Sequence, residues 1–267
     1  MNTLKIIAFL TVAIYCVAIV LLYAMQTKLI FHPGKLAQAY KFKADFRAEE
    51  VFLETRDGER INALFFPGTQ KDVILYFHGN AGDLSGWQFV AEDFTVLGYN
   101  VMIIDYRGYG KSSGVITENG LYMDAVAGFN GLIAKGFEPQ NIIVYGRSVG
   151  CGIAVDLASQ QICKGLILEA PFSSLLTLSN EKLPLFFPSL FIKFRFDNFQ
   201  KINKVRCPVA FVHGSEDSLI PVKHTEKLFH KFSGKKTKTI IPAASHNDLN
   251  QFPGYHQFLR NTLLHFY

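Results

Sequence analysis

Residues 142–150 read Ile142-Ile143-Val144-Tyr145-Gly146-Arg147-Ser148-Val149-Gly150. The first four are apolar on both faces, as a strand covered by helices on both sides has to be. The last five form a G-x-S-x-G pattern, and the small and aliphatic residues after it predict a helix over 149–161. A strand and a helix joined this closely need a sharp turn, and only small neighbours leave room for one. The turn lifts the Ser148 hydroxyl above the sheet edge. The helix N-terminus beneath it favours developing negative charge. Ser148 is therefore the candidate nucleophile.

The same rhythm runs outward on both sides. Residues 50–55 and 61–66 predict two strands around the Arg56-Asp57-Gly58 turn, as in a hairpin. Further apolar runs at 73–77, 101–104, 166–168, 209–212 and 239–241 predict buried parallel strands. Helices are expected at 86–97, 118–135, 221–232 and 255–266, with Pro221 in a first turn, where its missing N–H costs little. The alternation predicts an α/β fold, a mostly parallel sheet with an antiparallel start and helices on both faces. Residues 172–203 break the rhythm. They hold Phe172, Phe186, Phe187, Phe191, Phe194, Phe196 and Phe199 with Pro184 and Pro188, and the prolines argue against one long helix. Two readings stand: a helix pair filling one edge of the core, or a small apolar cap-like insertion over a pocket. On the second, Phe172, Phe186 and Phe187 are candidate substrate-binding residues.

A serine needs a base and a group to orient that base. His213-Gly214-Ser215-Glu216-Asp217 follows one predicted strand, and Ala244-Ser245-His246-Asn247-Asp248 follows the last. With Ser148 these give the chain order Ser148, Asp217, His246, each just past the C-terminal end of a strand, where open α/β sheets place their sites. Glu169 also follows a strand and competes as the acid. Glu216 reads as solvated, and Asp248 lies too close in sequence to His246 to bond its ring easily. Asp105 is expected to bond its own Arg107-Gly108-Tyr109-Gly110 turn. His78 and His213 read as loop packing, and His32, His224, His230, His256 and His265 as surface or edge residues. Acyl transfer also needs N–H donors for an oxyanion. Val149, after the nucleophile, supplies one. Asn80, in His78-Gly79-Asn80-Ala81-Gly82-Asp83, supplies the other, with Ala81 as second choice.

These motifs, together with Asp105-Tyr106-Arg107-Gly108-Tyr109-Gly110-Lys111-Ser112, resemble the α/β-hydrolase superfamily. The chain is most similar there to small, N-terminally membrane-anchored serine hydrolases related to the prolyl-oligopeptidase branch. The resemblance spans most of residues 50–267. It implies an eight-stranded sheet, with the family's serine, aspartate and histidine at Ser148, Asp217 and His246. Some eukaryotic relatives cleave cysteine thioesters. This chain has an apolar span where they carry a cysteine cluster.

That span, residues 6–25, is uncharged. About 20 residues at about 1.5 Å each give roughly 30 Å, the thickness of a bilayer core. No good small-x-small cleavage site follows it, so a retained transmembrane anchor over 1–27 is expected before a hydrolase domain at 28–267, with a cleaved signal as the alternative. Lys28, Lys35, Lys41 and Lys43 on the far flank outnumber Lys5, which points to a cytoplasmic body. Composition removes other classes. With 49% hydrophobic and 18% charged residues in 267, the chain is not disordered. Cys16, Cys151, Cys163 and Cys207 show no metal-ligand spacing and make no disulfide scaffold. A net charge of +5 without basic runs does not suggest nucleic acid. The expected function is hydrolysis of carboxylic esters or thioesters through an acyl-enzyme, without metal or organic cofactor. The partners expected are an acyl substrate, a lipid or lipidated protein among them, and the membrane. A peptidase of the same fold and a non-catalytic membrane-tethered binding module are the alternatives.

Overall fold

The computed structural model describes residues 3–42 and 48–266, and Lys43 of the basic flank and the side chain of His265 lie outside that set. Eight strands form one sheet: β1 (Glu49–Glu54), β2 (Arg60–Phe66), β3 (Val73–Phe77), β4 (Asn100–Ile104), β5 (Ile142–Arg147), β6 (Gly165–Glu169), β7 (Val209–Gly214) and β8 (Lys236–Ile241). Their order is β1-β2-β4-β3-β5-β6-β7-β8. The β1–β2 hairpin and the β2–β4 pair are antiparallel, and every other pairing is parallel.

The apolar runs fill both faces because each strand deals alternate residues to opposite sides. Val73, Leu75 and Phe77 enter one core, with Leu121, Leu132, Ile153, Leu157 and Leu228 of the covering helices. Ile74 and Tyr76 enter the other, with Leu84, Phe94, Phe258 and Leu263. Burying each such side chain stabilises the fold by about 2 kcal/mol. The main helices are α1 (Thr3–Ile30), α2 (Glu118–Ala134), α3 (Gly150–Gln160), α4 (Leu175–Lys182), α5 (Lys223–Lys231) and α6 (Pro253–His265).

Three details differ from the sequence-based expectation. The helix predicted over 86–97 is three short pieces, Leu84–Trp87, Gln88–Ala91 and Glu92–Thr95; the chain leaves at Gly98, whose φ of 86° no helix tolerates. Pro221 precedes its helix, which begins at Lys223. α1 continues past residue 27 to Ile30, where the Asn80 side-chain amide donates to the Ile30 carbonyl at 2.9 Å. That bond satisfies one of the carbonyls left open at a helix end.

Candidate active site

Ser148 sits between β5 and α3 with a φ of 53°. The left-handed region costs a non-glycine residue about 1–2 kcal/mol, so the surroundings must enforce it. The flanking glycines show how tight the turn is. A Cβ on Gly150 would stand 2.2 Å from the Phe77 carbonyl oxygen, and one on Gly146 2.7 Å from the Gly150 oxygen. The Ser148 N–H donates to the Glu169 carbonyl at 2.9 Å and pins the turn to β6.

Two loops bring the other groups to this serine. His246 Nε2 lies 2.9 Å from Ser148 Oγ, and its Nδ1 lies 2.6 Å from Asp217 Oδ2. All three side chains are buried. Asp217 is held on both oxygens: Oδ1 accepts from the Leu219 and Ile220 N–H groups at 2.9 and 2.8 Å, and Oδ2 also meets His213 Nε2 at 3.1 Å. Burial opposes its ionisation, but hydrogen bonds from His213 and His246 outweigh burial and hold the carboxyl well below the usual carboxylate range. The loops are laced together as well. The Ser215 and Glu216 N–H groups donate to the Ile241 and Ala244 carbonyls at 3.0 and 2.9 Å, and Ala243 N–H donates to Ser215 Oγ at 2.9 Å.

The competing acids are engaged elsewhere. Glu169 Oε2 accepts from the Tyr145 hydroxyl at 2.5 Å, and Oε1 pairs with Arg147 Nε at 3.2 Å. Asp248 accepts from the Ser245 N–H and hydroxyl at 2.6 and 2.8 Å and so shapes the His246 loop. Asp105 does not bond its own turn as expected. Its carboxylate accepts from the Leu84 N–H at 3.1 Å and faces His78 Nε2 at 3.4 Å. Among the described residues, no protein group accepts from the N–H of Val149 or of Asn80. The Asn80 carbonyl accepts from the His32 N–H at 2.9 Å and the Tyr109 hydroxyl at 2.7 Å, which fixes that peptide.

The three phenylalanines part company. Phe172 is 1% exposed and packs edge-on to Phe196 with ring centroids 6.2 Å apart, so it is core and offers no face to a ligand. Phe186 stacks on Tyr15 of α1 at 5.9 Å, and Phe187 is exposed. Residues 172–203 are thus partly core filling, through Phe172, Phe194 and Phe196, and partly a packing surface for α1.

Two buried histidines differ from the sequence-based expectation. His213 is not mere loop packing: it bonds Asp217 and, through Nδ1, Thr225 Oγ1 at 2.6 Å. The only sequence signal was its place four residues before Asp217. His224 is not at the surface. It is fully buried, with Nδ1 2.9 Å from Ser173 Oγ and Nε2 3.3 Å from Glu181. Burial lowers its pKa below the ordinary histidine value. Among the described residues, no group of three or more His, Cys, Asp or Glu could hold a metal ion.

Residues 68–198 match the family described as Hydrolase_4, serine aminopeptidase, S33. The chain is 34% identical over 243 residues to alpha/beta hydrolase domain-containing protein 17C of Xenopus tropicalis, covering 88% of this chain and 76% of that protein. It is 31% identical over 236 residues to an uncharacterised protein of Mycobacterium tuberculosis, covering 86% and 83%. Among solved structures it resembles an esterase of Pyrococcus furiosus, with a TM-score of 0.68, 20% identity, and coverage of 89% of this chain and 97% of that one. It also resembles a puromycin-hydrolysing peptidase of Mycobacterium tuberculosis, with a TM-score of 0.65, 18% identity, and coverage of 86% and 40%. The structural likenesses speak for the fold.

Proposed function

The chain belongs to the α/β-hydrolase family, and on that premise we propose that it is a membrane-anchored serine hydrolase cleaving carboxylic ester or thioester bonds through an acyl-enzyme on Ser148. The observation that carries this reading is the unbroken hydrogen-bond series from the Ser148 hydroxyl through His246 to Asp217. A serine hydroxyl is a weak nucleophile until a base takes its proton. His246 Nε2 is placed to accept it, while Asp217 orients the ring and stabilises the imidazolium that forms. The tetrahedral oxyanion goes to the Val149 and Asn80 N–H groups, which have no protein acceptor of their own among the described residues. His246 returns the proton to the leaving oxygen or sulfur, and water then attacks the acyl-enzyme with His246 again as base.

The anchor in this reading is α1, a 28-residue helix long and apolar enough to cross a membrane. The basic flank at Lys28, Lys35 and Lys41 supports a cytoplasmic body. Covalent labelling by a fluorophosphonate probe tests the nucleophile: Ser148 labels in the native protein and not after denaturation. Native protein that stays unlabelled overturns the reading and favours a non-catalytic module. A series of esters, thioesters and peptides on labelled-competent protein then separates ester cleavage from peptidase activity.

A further inference from the structure

α1 is docked mainly along one stripe. Positions 15, 18, 19, 22, 26 and 30, at helical spacing, are buried or half-buried, with 13 and 27 half-buried outside it, whereas 3–12 are exposed all round. Residues 183–193 cover that stripe. The Tyr15 hydroxyl donates to the Leu185 carbonyl at 2.6 Å. The Gln26 amide donates to the Phe191 carbonyl at 3.0 Å and accepts from the Lys193 N–H at 2.7 Å. The Lys193 ammonium lies 4.0 Å above the ring of Tyr23.

The outward face of this segment is apolar. Leu185, Phe187 and Leu190 are 76%, 59% and 82% exposed. Residues 183–192 carry no charge, and Lys182 and Lys193 bracket them. Its contacts with α1 also span a depth. Lys193 meets the helix at Tyr23, and Leu185 meets it at Tyr15, eight residues nearer the N-terminus. Eight residues of helix rise about 12 Å, close to one leaflet of a hydrocarbon core about 30 Å thick. Tyr15 is also the middle of the uncharged run 6–25. If that run spans the bilayer, the segment docked on its body-proximal half lies within the bilayer too.

We propose that residues 183–192 are a second membrane element, seated beside α1 in the leaflet that faces the hydrolase body, with the lipid bilayer as the partner of their exposed face. The proposal rests on α1 being the anchor. A non-helical segment survives at this depth only if its backbone groups find partners within the protein, and here many do. Pro184 and Pro188 have no N–H. Leu183 donates to Ser179, Phe186 to Leu183, Leu190 to Phe187, and both Phe191 and Ile192 to Pro188. Tyr15 and Gln26 take the carbonyls of Leu185 and Phe191 from the helix side. The bracketing lysines turn away from the apolar face: Lys182 donates to the Ser218 carbonyl of the hydrolase body at 2.8 Å, and Lys193 lies over Tyr23 toward the body-proximal end of α1. The groove between the two elements, lined by Leu22, Leu29, Leu183, Pro188 and Phe191, then opens to acyl chains.

The test uses the full chain with Cys16→Ser, reconstituted in liposomes of phosphatidylcholine and phosphatidylglycerol containing lipids spin-labelled on the acyl chain. Single substitutions Leu185→Cys, Phe187→Cys and Leu190→Cys carry an environment-sensitive fluorophore, with Val12→Cys in the helix and Lys71→Cys on the body for comparison. Expected is blue-shifted emission at all three segment positions, with loss of fluorescence comparable to that at Val12 and none at Lys71. Segment probes that behave like the Lys71 probe while the Val12 probe is quenched overturn the proposal and leave the anchor intact. A Val12 probe that is not quenched overturns the anchor reading and the proposal together.

Discussion

His213 Nε2 lies 3.1 Å from Asp217 Oδ2, the same oxygen that His246 reaches at 2.6 Å. The role of His213 Nε2 follows from its second partner. Nε2 is also 2.8 Å from the Ile220 carbonyl oxygen, which can only accept, so the proton is on Nε2. Nδ1 lies 2.6 Å from the Thr225 hydroxyl, which holds the other edge of the ring. His213 thus acts as a positioning residue for the carboxylate that orients His246. A hydrogen bond to a charged group is worth about 1.5–3 kcal/mol, so His213→Ala should lower kcat by about ten- to a hundredfold. KM should change little, and Thr225→Val should have a smaller effect in the same direction. Steady-state kinetics on a soluble ester measures both; a rise in KM at constant kcat would contradict this role.

Ser148→Ala should reduce hydrolysis by at least about 1000-fold, because only the oxyanion donors and substrate binding then remain. Alanine fits the space of serine, so circular dichroism should show an unchanged fold. An activity loss below tenfold would assign the chemistry to another group.

Asp217 also sets an acid limit on stability. Its carboxyl is depressed below the ordinary value of 3.8 in the native state, so the unfolded chain takes up this proton more readily than the folded one. Stability from this group is therefore fully present above about pH 5 and is lost as pH falls through the region below about 4. Asp217→Asn removes it. The difference in unfolding free energy between wild type and variant should hold constant from about pH 7 to about pH 5 and shrink steadily below about pH 4 in denaturant titrations carried down to about pH 2. A difference that stays constant over the whole titration would place the stabilisation elsewhere.

The sheet was legible because buried parallel strands are apolar on both faces, and 73–77 and 142–145 were found as written in the sequence. The Ser148 turn was legible because Gly146 and Gly150 stand where a Cβ cannot fit. What the sequence hid depends on contacts between distant segments. Phe172 and Phe187 look alike in the chain, yet one is core and the other is exposed on the protein surface. What separates them is distant packing: Phe172 meets Phe196, 24 residues on, whereas Phe187 makes a left-handed turn with a φ of 48° that leaves its ring uncovered by the protein. His213 and Asp217 were both visible, but their bond appears only when β7 and the turn after it are built. Gln26 in an apolar helix was the one local sign that α1 has a partner, and that partner lies 165 residues away.

The cysteines carry the last prediction. Cys163 Sγ lies 3.1 Å from Cys207 Sγ, both buried, just before the first residues of β6 and β7 and so at the opposite strand ends from Ser148. The Cys207 thiol beside it, together with burial, raises the Cys163 pKa well above the ordinary thiol value. Since the thiolate is the reactive form, oxidation should be slow in the folded protein. A diamide oxidant that removes the two thiol hydrogens should nonetheless join the pair, because their sulfurs already touch. The closed loop of 44 residues gives a chain-entropy stabilisation of at most about 4 kcal/mol, a Tm rise on the order of 10 °C for a domain of this size. Cys163→Ala should abolish the rise. The same pair reports the side of the membrane. A cytoplasmic body keeps both thiols reduced, so quenching cells in acid and then denaturing the chain in the presence of an alkylating agent, followed by mass measurement, should find two modified thiols at Cys163 and Cys207. A chain trapped two hydrogens lighter and unalkylated at both positions would place the hydrolase body on the oxidising side and overturn the orientation read from Lys28, Lys35 and Lys41.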